Sequence, residues 1–408
     1  MSKTVTQDLV CTSADPREDP SLGPLLDAAF ERTDAESRLV QRLAEQHPEF
    51  DPESVLVARR GDRAVGCALF MPRTLRLFGA WVRVVVSSPF GVLPEARRDG
   101  VASRMLEVGM ERAVARGARG AVVLGGSEFF RHRDFAPAFR MHVLQVRTGD
   151  LPEPDETGWR GLQGEDLARL VPLSECCYGE TDGAERRAAI PLEWESQVET
   201  GHVRVLEENG ELLAAVRFRT DSPPFIREVV TGDPRAHARV LAFVAHIASI
   251  HSLDEIELSL PPTHPIARAL FHRGALALSN DFRGSALLRV VDWRGLLEDV
   301  AGVWCHRLGR IDGRPLSLHL GGQDLCLRTD GEGPTVEQRR EESRHLFVPA
   351  HLAPSLVTGH RSWRDLVDDQ EVRSNSQLDE VGWHAVKALF PDGEPHWSYG
   401  PVFELADR

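Results

Sequence analysis

The segment VLPEARRDGVASRML, from Val92 to Leu106, lies where an apolar run ends and a helical pattern begins. Two arginines and a glycine stand at this boundary: Arg97, Arg98 and Gly100. A helix start leaves several backbone N–H groups unpaired, and the aligned peptide dipoles add partial positive charge there. Because glycine lacks a side chain, an anion can approach the main chain closely, and arginines add charge-assisted donors. This order of residues predicts a diphosphate site.

The preceding run, WVRVVVSSPFGVL, is a valine-rich strand candidate that is interrupted at Ser88–Pro89. Proline and glycine inside a strand predict a β-bulge or a close approach of another group to the strand backbone. A ligand with amide groups can pair with an opened strand edge as an added strand does. A diphosphate followed by an amide-bearing arm describes coenzyme A. The alternative is an ordinary surface helix start with two solvated arginines.

Strand and helix candidates alternate around this boundary. Several β-patterns precede it, a helix with apolar residues at a period near 3.6 runs from about Arg98 to Arg116, and Gly117 is placed to end that helix. A buried strand, GAVVLGG, and a short helix or turn, SEFFRHR, follow. Strands and helices therefore both contribute to the fold.

Length and composition limit the class of protein. A chain of 408 residues, with 42% hydrophobic and 27% charged residues, predicts two or three globular domains. The net charge of −14 argues against nucleic acid as a partner, because phosphate binding requires a basic face. An acidic protein could attract a cationic amine, although acidity of this size is also common for solubility alone.

From the sequence we expect neither an export signal nor a membrane-spanning segment. Its start, MSKTVTQDLV, lacks the apolar core of a signal peptide, and no stretch approaches the roughly 20 apolar residues that span a bilayer. The six cysteines show no regular spacing, which favours reduced thiols and no metal site. We expect a cytoplasmic protein without a membrane partner.

The pattern divides the chain into three packed domains, which we predict at residues 1–150, 151–292 and 293–408. The second range repeats the strand and helix order of the first weakly and lacks the arginine–glycine boundary. The third range differs from both. Within it, the polar stretch TDGEGPTVEQRREESRH is predicted to be a surface loop with helical tendency.

Two segments resemble a known family. FGVLPEARRDGVASRML resembles the coenzyme A motif of the GNAT acetyltransferases, R/Q-x-x-G-x-G/A, with Arg97, Gly100 and Ala102 in the defining positions. LGGSEFFRHRDFAPAF is similar to the segment Y-x-R-F-G-F/Y-x-P-A of several GNAT branches. The whole plan resembles the Eis-like acetyltransferases: a GNAT unit, a degenerate GNAT unit and a sterol-carrier-like unit. This resemblance implies an α+β (mixed α/β) fold, with two mixed sheets flanked by helices and a C-terminal α+β domain. The end, ALFPDGEPHWSYGPVF, looks like the close of that family.

The resemblance implies a site for acetyl-CoA as co-substrate. Main-chain groups of Phe90, Gly91 and Val92 would hold the pantetheine arm. Gly125 and Gly126 would flank the thioester. The residues implied in diphosphate binding follow the strand: Arg97, Arg98, Asp99, Gly100, Val101, Ala102 and Ser103.

The catalytic groups depart from the family pattern. In Eis-like enzymes a tyrosine protonates the leaving thiolate and the terminal carboxylate is the base, but the alignment places Phe130 at the tyrosine position. Phenylalanine has no hydroxyl and cannot act as an acid. Ser127 and His132 are the candidate substitutes, and the terminal carboxylate now belongs to Arg408.

Three further routes stay open at this point. Glu128 or Asp134 could act as the base, and Tyr399 could supply a hydroxyl from the end of the chain. Transfer could also proceed without a dedicated acid, because coenzyme A is a tolerable leaving group.

The sequence therefore favours an acetyl-CoA-dependent N-acetyltransferase that acts on a primary amine of a small molecule or of a lysine side chain. The family resemblance implies a homo-oligomer. The alternative is a non-catalytic acyl-CoA-binding or scaffold protein that lost the catalytic tyrosine. A third hypothesis is a small-molecule carrier that uses the last domain.

Overall fold

The fold is that of a computed structural model of the chain. The structure describes residues 9–30, 34–47, 50–124, 128–186, 202–219, 224–280, 286–308, 315–330, 333–338, 344–376, 378–390, 393, 395 and 396. Among the helices of these residues, none has the length and apolar composition required to cross a membrane.

We number the helices and strands in chain order. The helices are α1 (Leu22–Phe30), α2 (Ala35–Gln46), α3 (Val101–Ala115), α4 (Glu128–Arg131), α5 (Leu167–Tyr178), α6 (Pro234–Ile250), α7 (Pro265–Phe271), α8 (Trp293–Leu308), α9 (Ala353–Val357), α10 (Trp363–Asp368) and α11 (Glu380–Leu389). The strands are β1 (Leu9–Ser13), β2 (Val55–Arg60), β3 (Arg63–Leu77), β4 (Ala80–Val92), β5 (Gly120–Leu124), β6 (Ala136–Phe139), β7 (Met141–Arg147), β8 (Trp159–Gly161), β9 (Val203–Glu208), β10 (Glu211–Arg219), β11 (Phe225–Thr231), β12 (Glu255–Ser259), β13 (Leu276–Asn280), β14 (Ala286–Val290), β15 (Leu316–Leu320), β16 (Gln323–Asp330), β17 (Gly333–Gln338), β18 (Arg344–Val348) and β19 (Arg373–Ser374).

The first sheet carries the boundary segment. Within the described residues its strand order is β1-β2-β3-β4-β5-β14-β6. The pair β4 and β5 is parallel, whereas the other neighbours in this sheet are antiparallel. Helix α3 connects the two parallel strands, as a crossover must. The predicted α+β class with mixed sheets flanked by helices is confirmed.

The second sheet has the order β13-β7-β12-β11-β10-β9-β8 among the described residues, with β11 and β12 as its parallel pair. The two sheets exchange strands along the chain. Strand β14 pairs with β5 and β6 of the first sheet, and β7 pairs with β12 and β13 of the second. Sheets and sequence ranges therefore do not coincide at residues 150 and 292, and the three-domain division stays a prediction.

The third sheet, β17-β16-β15-β18-β19 in the part of the chain that is described, corrects one expectation. The polar stretch predicted as a loop with helical tendency contains strand β17, which pairs antiparallel with β16 from Gln338 to Gly333. That expectation is wrong because strand formation follows pairing and the burial of alternate side chains more than local propensity. Val336 is buried, whereas its neighbour Thr335 is exposed.

Helix α3 packs on the first sheet with the predicted periodicity. It begins at Val101 and ends at Ala115, inside the predicted limits. Gly117 adopts φ +81°, and the N–H of Ala118 donates to the carbonyl of Ala113 at 2.9 Å, which is the expected glycine-terminated helix end. The buried face consists of Val101, Met105, Leu106, Gly109, Met110 and Ala113.

Candidate functional site

The parallel strands β4 and β5 separate at the predicted interruption. They pair over Val85–Ser87 only. On the other edge of β4 the register against β3 shifts, since Ser87 faces Phe70 but Phe90 faces Ala68. The bulge predicted at Ser88–Pro89 is confirmed. Because β4 continues beyond this point without pairing to β5, its edge opens into a cleft.

The turn into helix α3 presents backbone donors to the same cleft. Gly100 caps the helix with φ +80°, and Arg98 before it also has a positive φ of 69°. The first helical hydrogen bond runs from the N–H of Arg104 to the carbonyl of Gly100 at 3.0 Å. The N–H groups of the first helical turn therefore have no acceptor within the helix. A Cβ on Gly100 would meet no atom within 4 Å, so the space in front of this turn is open.

These two features meet in one cleft with a volume of about 920 Å³. It lies between the end of α1, the opened edge of β4, the start of α3 and helix α4. The cleft is lined by Ala29, Phe30, Phe90, Gly91, Val92, Ala96, Arg97, Arg98, Gly100, Val101, Ala102, Ser103, Leu124, Phe129, Phe130 and Arg133.

The structure brings most of the predicted cofactor-binding residues to this cleft. Phe90 to Val92 lie on one wall, and Arg97, Arg98 and Gly100 to Ser103 lie at the helix start. Asp99 does not line the cleft, because its carboxylate Oδ2 lies 3.0 Å from Nη1 of Arg60 in a surface ion pair. Four predicted residues lie outside the described part of the chain: Gly125, Gly126, Ser127 and Arg408.

Arg97 contacts the protein's own backbone. Its Nη2 donates to the carbonyl of Ala29 at 2.7 Å, and its Nε donates to the carbonyl of Val92 at 3.2 Å. The side chain thus ties the end of β4 to helix α1 and holds the wall of the cleft together. The sequence predicts that Arg97 donates hydrogen bonds to an anion. The structure adds a contact with the protein's own backbone, and this contact joins residues that are far apart in the chain.

Phenylalanines form the wall on the α4 side. The ring of Phe130 lies 5.6 Å from Phe90, 5.1 Å from Phe129 and 5.4 Å from Phe135, measured between ring centroids. Phe130 is 8% exposed. The position that resembles the family's tyrosine is therefore part of an apolar cluster and supplies no proton.

The candidate acids and bases within the described residues lie outside the cleft lining. His132 is exposed and does not line the cleft, and its backbone N–H donates to the carbonyl of Glu128 at 3.0 Å. Glu128 and Asp134 are also exposed and lie outside the lining. The reason is geometric: the single turn of α4 directs Phe129 and Phe130 inward and its polar neighbours outward. Tyr399 lies outside the described residues.

Sequence reasoning missed Arg133. Its Nη2 lies 2.5 Å from Oγ of Ser103, its Nη1 donates to the carbonyl of Phe129 at 2.9 Å, and its guanidinium carbon lies 3.9 Å from the centroid of the Phe129 ring. The sequence offers one indication of this position: Arg133 follows Phe130 by three residues, and Phe130 also lines the cleft.

The corresponding place in the second sheet is filled by side chains. Strands β11 and β12 pair at Phe225 and Ile226 and then diverge. Beyond that point the carbonyl of Val229 accepts from the hydroxyl of Tyr178 at 2.7 Å and lies 3.1 Å from Nε2 of His264. Helix α6 is capped by Asp233, whose carboxylate accepts from the N–H of Arg235 at 2.8 Å. At the start of α6 the Asp233 carboxylate thus occupies a backbone N–H group, whereas no side chain caps the start of α3.

This mixed sheet, whose parallel central strands separate in front of an uncapped helix start, agrees with the GNAT arrangement that the sequence resemblance implies. Residues 20–137 match the family model described as an acetyltransferase (GNAT) domain. The matched residues include both walls of the cleft. No curated protein matches the chain by sequence.

Solved structures resemble the chain over nearly its full length. A GCN5-related N-acetyltransferase from Anabaena variabilis has a TM-score of 0.75 at 16% identity and covers 95% of this chain and 99% of its own. One from Kribbella flavida has a TM-score of 0.74 at 16% identity and covers 97% and 99%. Eis1 from Mycobacterium abscessus has a TM-score of 0.67 at 16% identity, with the same coverage. At this identity the likeness concerns the fold.

Proposed function

We propose that the protein is an acetyl-CoA-dependent N-acetyltransferase. One observation carries the proposal: the opened edge of β4 and the uncapped start of α3 face the same cleft of about 920 Å³. We assign the amide-bearing arm to the edge and the diphosphate to the turn. The GNAT match of residues 20–137 supports the same cofactor class.

The residues present fit the carrier. Beyond Ser87, backbone groups of β4 pair with β3 on one edge only, so Phe90 to Val92 would hold the amide-bearing arm on the other. The N–H groups of Val101 to Ser103 would hold the diphosphate, with Gly100 allowing close approach. Gly125 and Gly126, which follow β5, would flank the thioester.

Acyl transfer from the thioester does not require a side chain of the cleft to protonate the leaving thiolate. When bound, acetyl-CoA would supply the acyl group: the neutral amine nitrogen bonds to the thioester carbonyl carbon, the carbon–sulfur bond breaks, and the proton that the amine loses ends on the leaving thiolate, which gives the free thiol. The phenylalanine wall around Phe130 excludes water from this point, which limits hydrolysis. A thiolate is a tolerable leaving group, since thiols ionise near pH 8.5. Transfer without a dedicated acid is therefore the form of the reaction that this wall supports.

The acceptor class follows from charge and from the family resemblance. We propose a primary amine, of a small molecule or a lysine side chain, drawn to a protein of net charge −14. The division into domains at 150 and 292, the sterol-carrier-like nature of residues 293–408, the cytoplasmic location and the homo-oligomer belong to this proposal. Ser127 and the terminal carboxylate of Arg408 stay candidates for proton transfer.

Two measurements in sequence test the proposal. Calorimetry with acetyl-CoA should show saturable binding, and free thiol should then appear on incubation with one member of a panel of polyamines, aminoglycosides and lysine peptides. The absence of cofactor binding would overturn the proposal outright. Tight binding without thiol release from any amine would favour the alternative, a non-catalytic acyl-CoA-binding protein, which the position of Phe130 and the outward direction of His132 make the second candidate.

A further inference from the structure

Arg133 is held in a defined orientation inside the cleft. It follows helix α4 and is half-buried among the lining residues. Its guanidinium stacks at 3.9 Å on the Phe129 ring, donates to the Phe129 carbonyl at 2.9 Å and to Oγ of Ser103 at 2.5 Å. A guanidinium with its plane set by an aromatic ring retains further N–H donors with a fixed direction.

The positive charge of Arg133 has no carboxylate partner within the described residues. Two arginines outside the lining are neutralised: Arg60 pairs with Asp99 at 3.0 Å, and Arg63 pairs with Glu95. Arg97 and Arg98 also line the cleft, but both are exposed, whereas Arg133 is half-buried. Partial burial of an uncompensated cation is costly unless an anion joins it, although stacking on an aromatic face offsets part of that cost. The arrangement is typical of a site that is completed by an anionic ligand.

The position of Ser103 places this charge next to the helix start. Ser103 is the third residue of α3, so its hydroxyl lies at the end where the open N–H groups are. Arg133 therefore approaches, from the α4 wall, the same volume that the α3 backbone donors face from the other side. A phosphate held by the helix start would lie within reach of the fixed guanidinium.

We propose that Arg133 binds a phosphate group of the acyl carrier and makes the cleft selective for phosphorylated carriers. This inference rests on the proposed function and deepens it. Coenzyme A offers two sources of the same chemistry, the diphosphate and the ribose 3′-phosphate. Ser103 then acts as a positioning residue, because its hydroxyl keeps the guanidinium directed toward the helix start.

The test measures affinity by calorimetry for three ligands: coenzyme A, 3′-dephospho-coenzyme A and pantetheine. The variant is Arg133→Met, which keeps a long apolar stem without charge. The matched control is Arg131→Met, which removes the same charge from an exposed residue of the same segment. Arg133→Lys is the conservative variant, because it keeps the charge and loses the planar stack. Thermal unfolding of each variant verifies that it is folded.

We expect Arg133→Met to weaken coenzyme A binding on the order of ten-fold or more, as loss of a charge-assisted hydrogen bond does. Arg131→Met should stay within about two-fold, Arg133→Lys should lie between the two, and the salt dependence of binding should become shallower in Arg133→Met. An equal loss with 3′-dephospho-coenzyme A assigns Arg133 to the diphosphate, whereas a loss confined to coenzyme A assigns it to the 3′-phosphate.

Other results would overturn the inference. Unchanged coenzyme A affinity in Arg133→Met removes the proposed contact. A loss that is equally large for pantetheine shows that Arg133 only packs the α4 wall. A wild-type protein that fails to bind coenzyme A overturns the proposed function itself, which separates that failure from the failure of the Arg133 assignment.

Discussion

The ring of Phe70 on strand β3 lies directly against Gly109 in the middle of helix α3. A Cβ placed on Gly109 would come within 2.1 Å of Cζ of that ring. The same ring meets Phe90 of the cleft wall in an edge-to-face contact, with centroids 6.3 Å apart. The missing side chain at Gly109 therefore lets α3 approach the sheet closely and sets the helix relative to the opened edge of β4.

Gly109→Ala should destabilise the protein, although alanine is the better helix former by about 1 kcal/mol. The added methyl meets a buried ring, and overpacking of this kind costs about 1–3 kcal/mol. Urea denaturation should show a lower midpoint, and calorimetry should show several-fold weaker binding of coenzyme A as the helix start shifts.

Gly23→Ala on helix α1 is the matched control. A Cβ at Gly23 would meet no atom within 4 Å, so this substitution should be neutral or stabilising by up to about 1 kcal/mol. If both variants have the same stability, the close contact between Phe70 and Gly109 does not set the packing of α3.

Gly100 and Gly117, at the two ends of α3, separate backbone strain from ligand access. Both have φ near +80°, and a Cβ on either would meet no atom within 4 Å. Leucine at either position should cost about 1–2 kcal/mol of stability, since both are left-handed residues. Only Gly100→Leu should lose coenzyme A affinity, by roughly ten-fold to a hundred-fold, because the side chain blocks hydrogen bonds worth about 1.5–3 kcal/mol each.

Calorimetry measures the coenzyme A affinity of the two folded variants and so tests whether the ligand binds at Gly100. Equal affinities in Gly100→Leu and Gly117→Leu would mean that the start of α3 does not hold the carrier. A loss confined to Gly100→Leu places the ligand at that turn, because the strain is common to both variants.

Local backbone features of the site could be predicted from sequence, whereas contacts across the fold could not. The bulge at Ser88–Pro89 and the uncapped turn at Gly100 follow from the residues that stand there. The bond from Arg97 to the carbonyl of Ala29 and the bond from Arg133 to Ser103 join segments distant in the chain. Their partners are set by packing, which no local pattern encodes.

The order of strands in the sheets also could not be predicted from local sequence. The family resemblance implies mixed sheets, but the exchange of β7 and β14 between two sheets depends on which edges are free when the chain returns. Strand β17 shows the converse: its polar composition favours a loop, and pairing with β16 makes it a strand. Pairing partners decide both cases.

Phe130→Tyr should increase the rate of thiol release if this position faces the leaving thiolate. In enzymes that use a positioned acid, the acid increases the rate by about 10²- to 10⁴-fold. We expect a smaller gain in rate, on the order of ten-fold, because the surroundings of the new hydroxyl do not orient it. Stability should fall by about 1–3 kcal/mol, because the hydroxyl enters an apolar cluster. Thiol release at saturating acetyl-CoA measures the first effect and urea denaturation the second.

Phe135→Tyr is the control for this change. Phe135 packs on Phe130 with centroids 5.4 Å apart, is 1% exposed, and does not line the cleft. It should show the loss of stability without any gain in rate. A Phe130→Tyr variant no faster than Phe135→Tyr would indicate that the leaving sulfur lies away from position 130.

His264 should make stability depend on pH in the mildly acidic range. Its Nδ1 accepts from the N–H of Ile266 at 3.1 Å, which leaves the proton on Nε2, 3.1 Å from the carbonyl of Val229. Burial lowers the pKa of His264 from 6.5 to about 3. Between these values the unfolded chain binds a proton that the folded chain does not, so stability is full above pH 6.5 and falls as the pH drops toward 3.

Urea denaturation from pH 7 to pH 4 should show this slope, which is at most about 1.4 kcal/mol per pH unit for each such histidine. His396, whose pKa burial also lowers well below the ordinary value, adds to it. In His264→Asn the amide oxygen can still cap α7, so the variant should fold, lose about 1–3 kcal/mol at pH 7 and show a slope smaller by about one proton. His272→Asn, at an exposed residue after the same helix, should keep the wild-type slope. If His264→Asn retains the full slope, the acid sensitivity arises at other groups, because the substituted side chain no longer titrates.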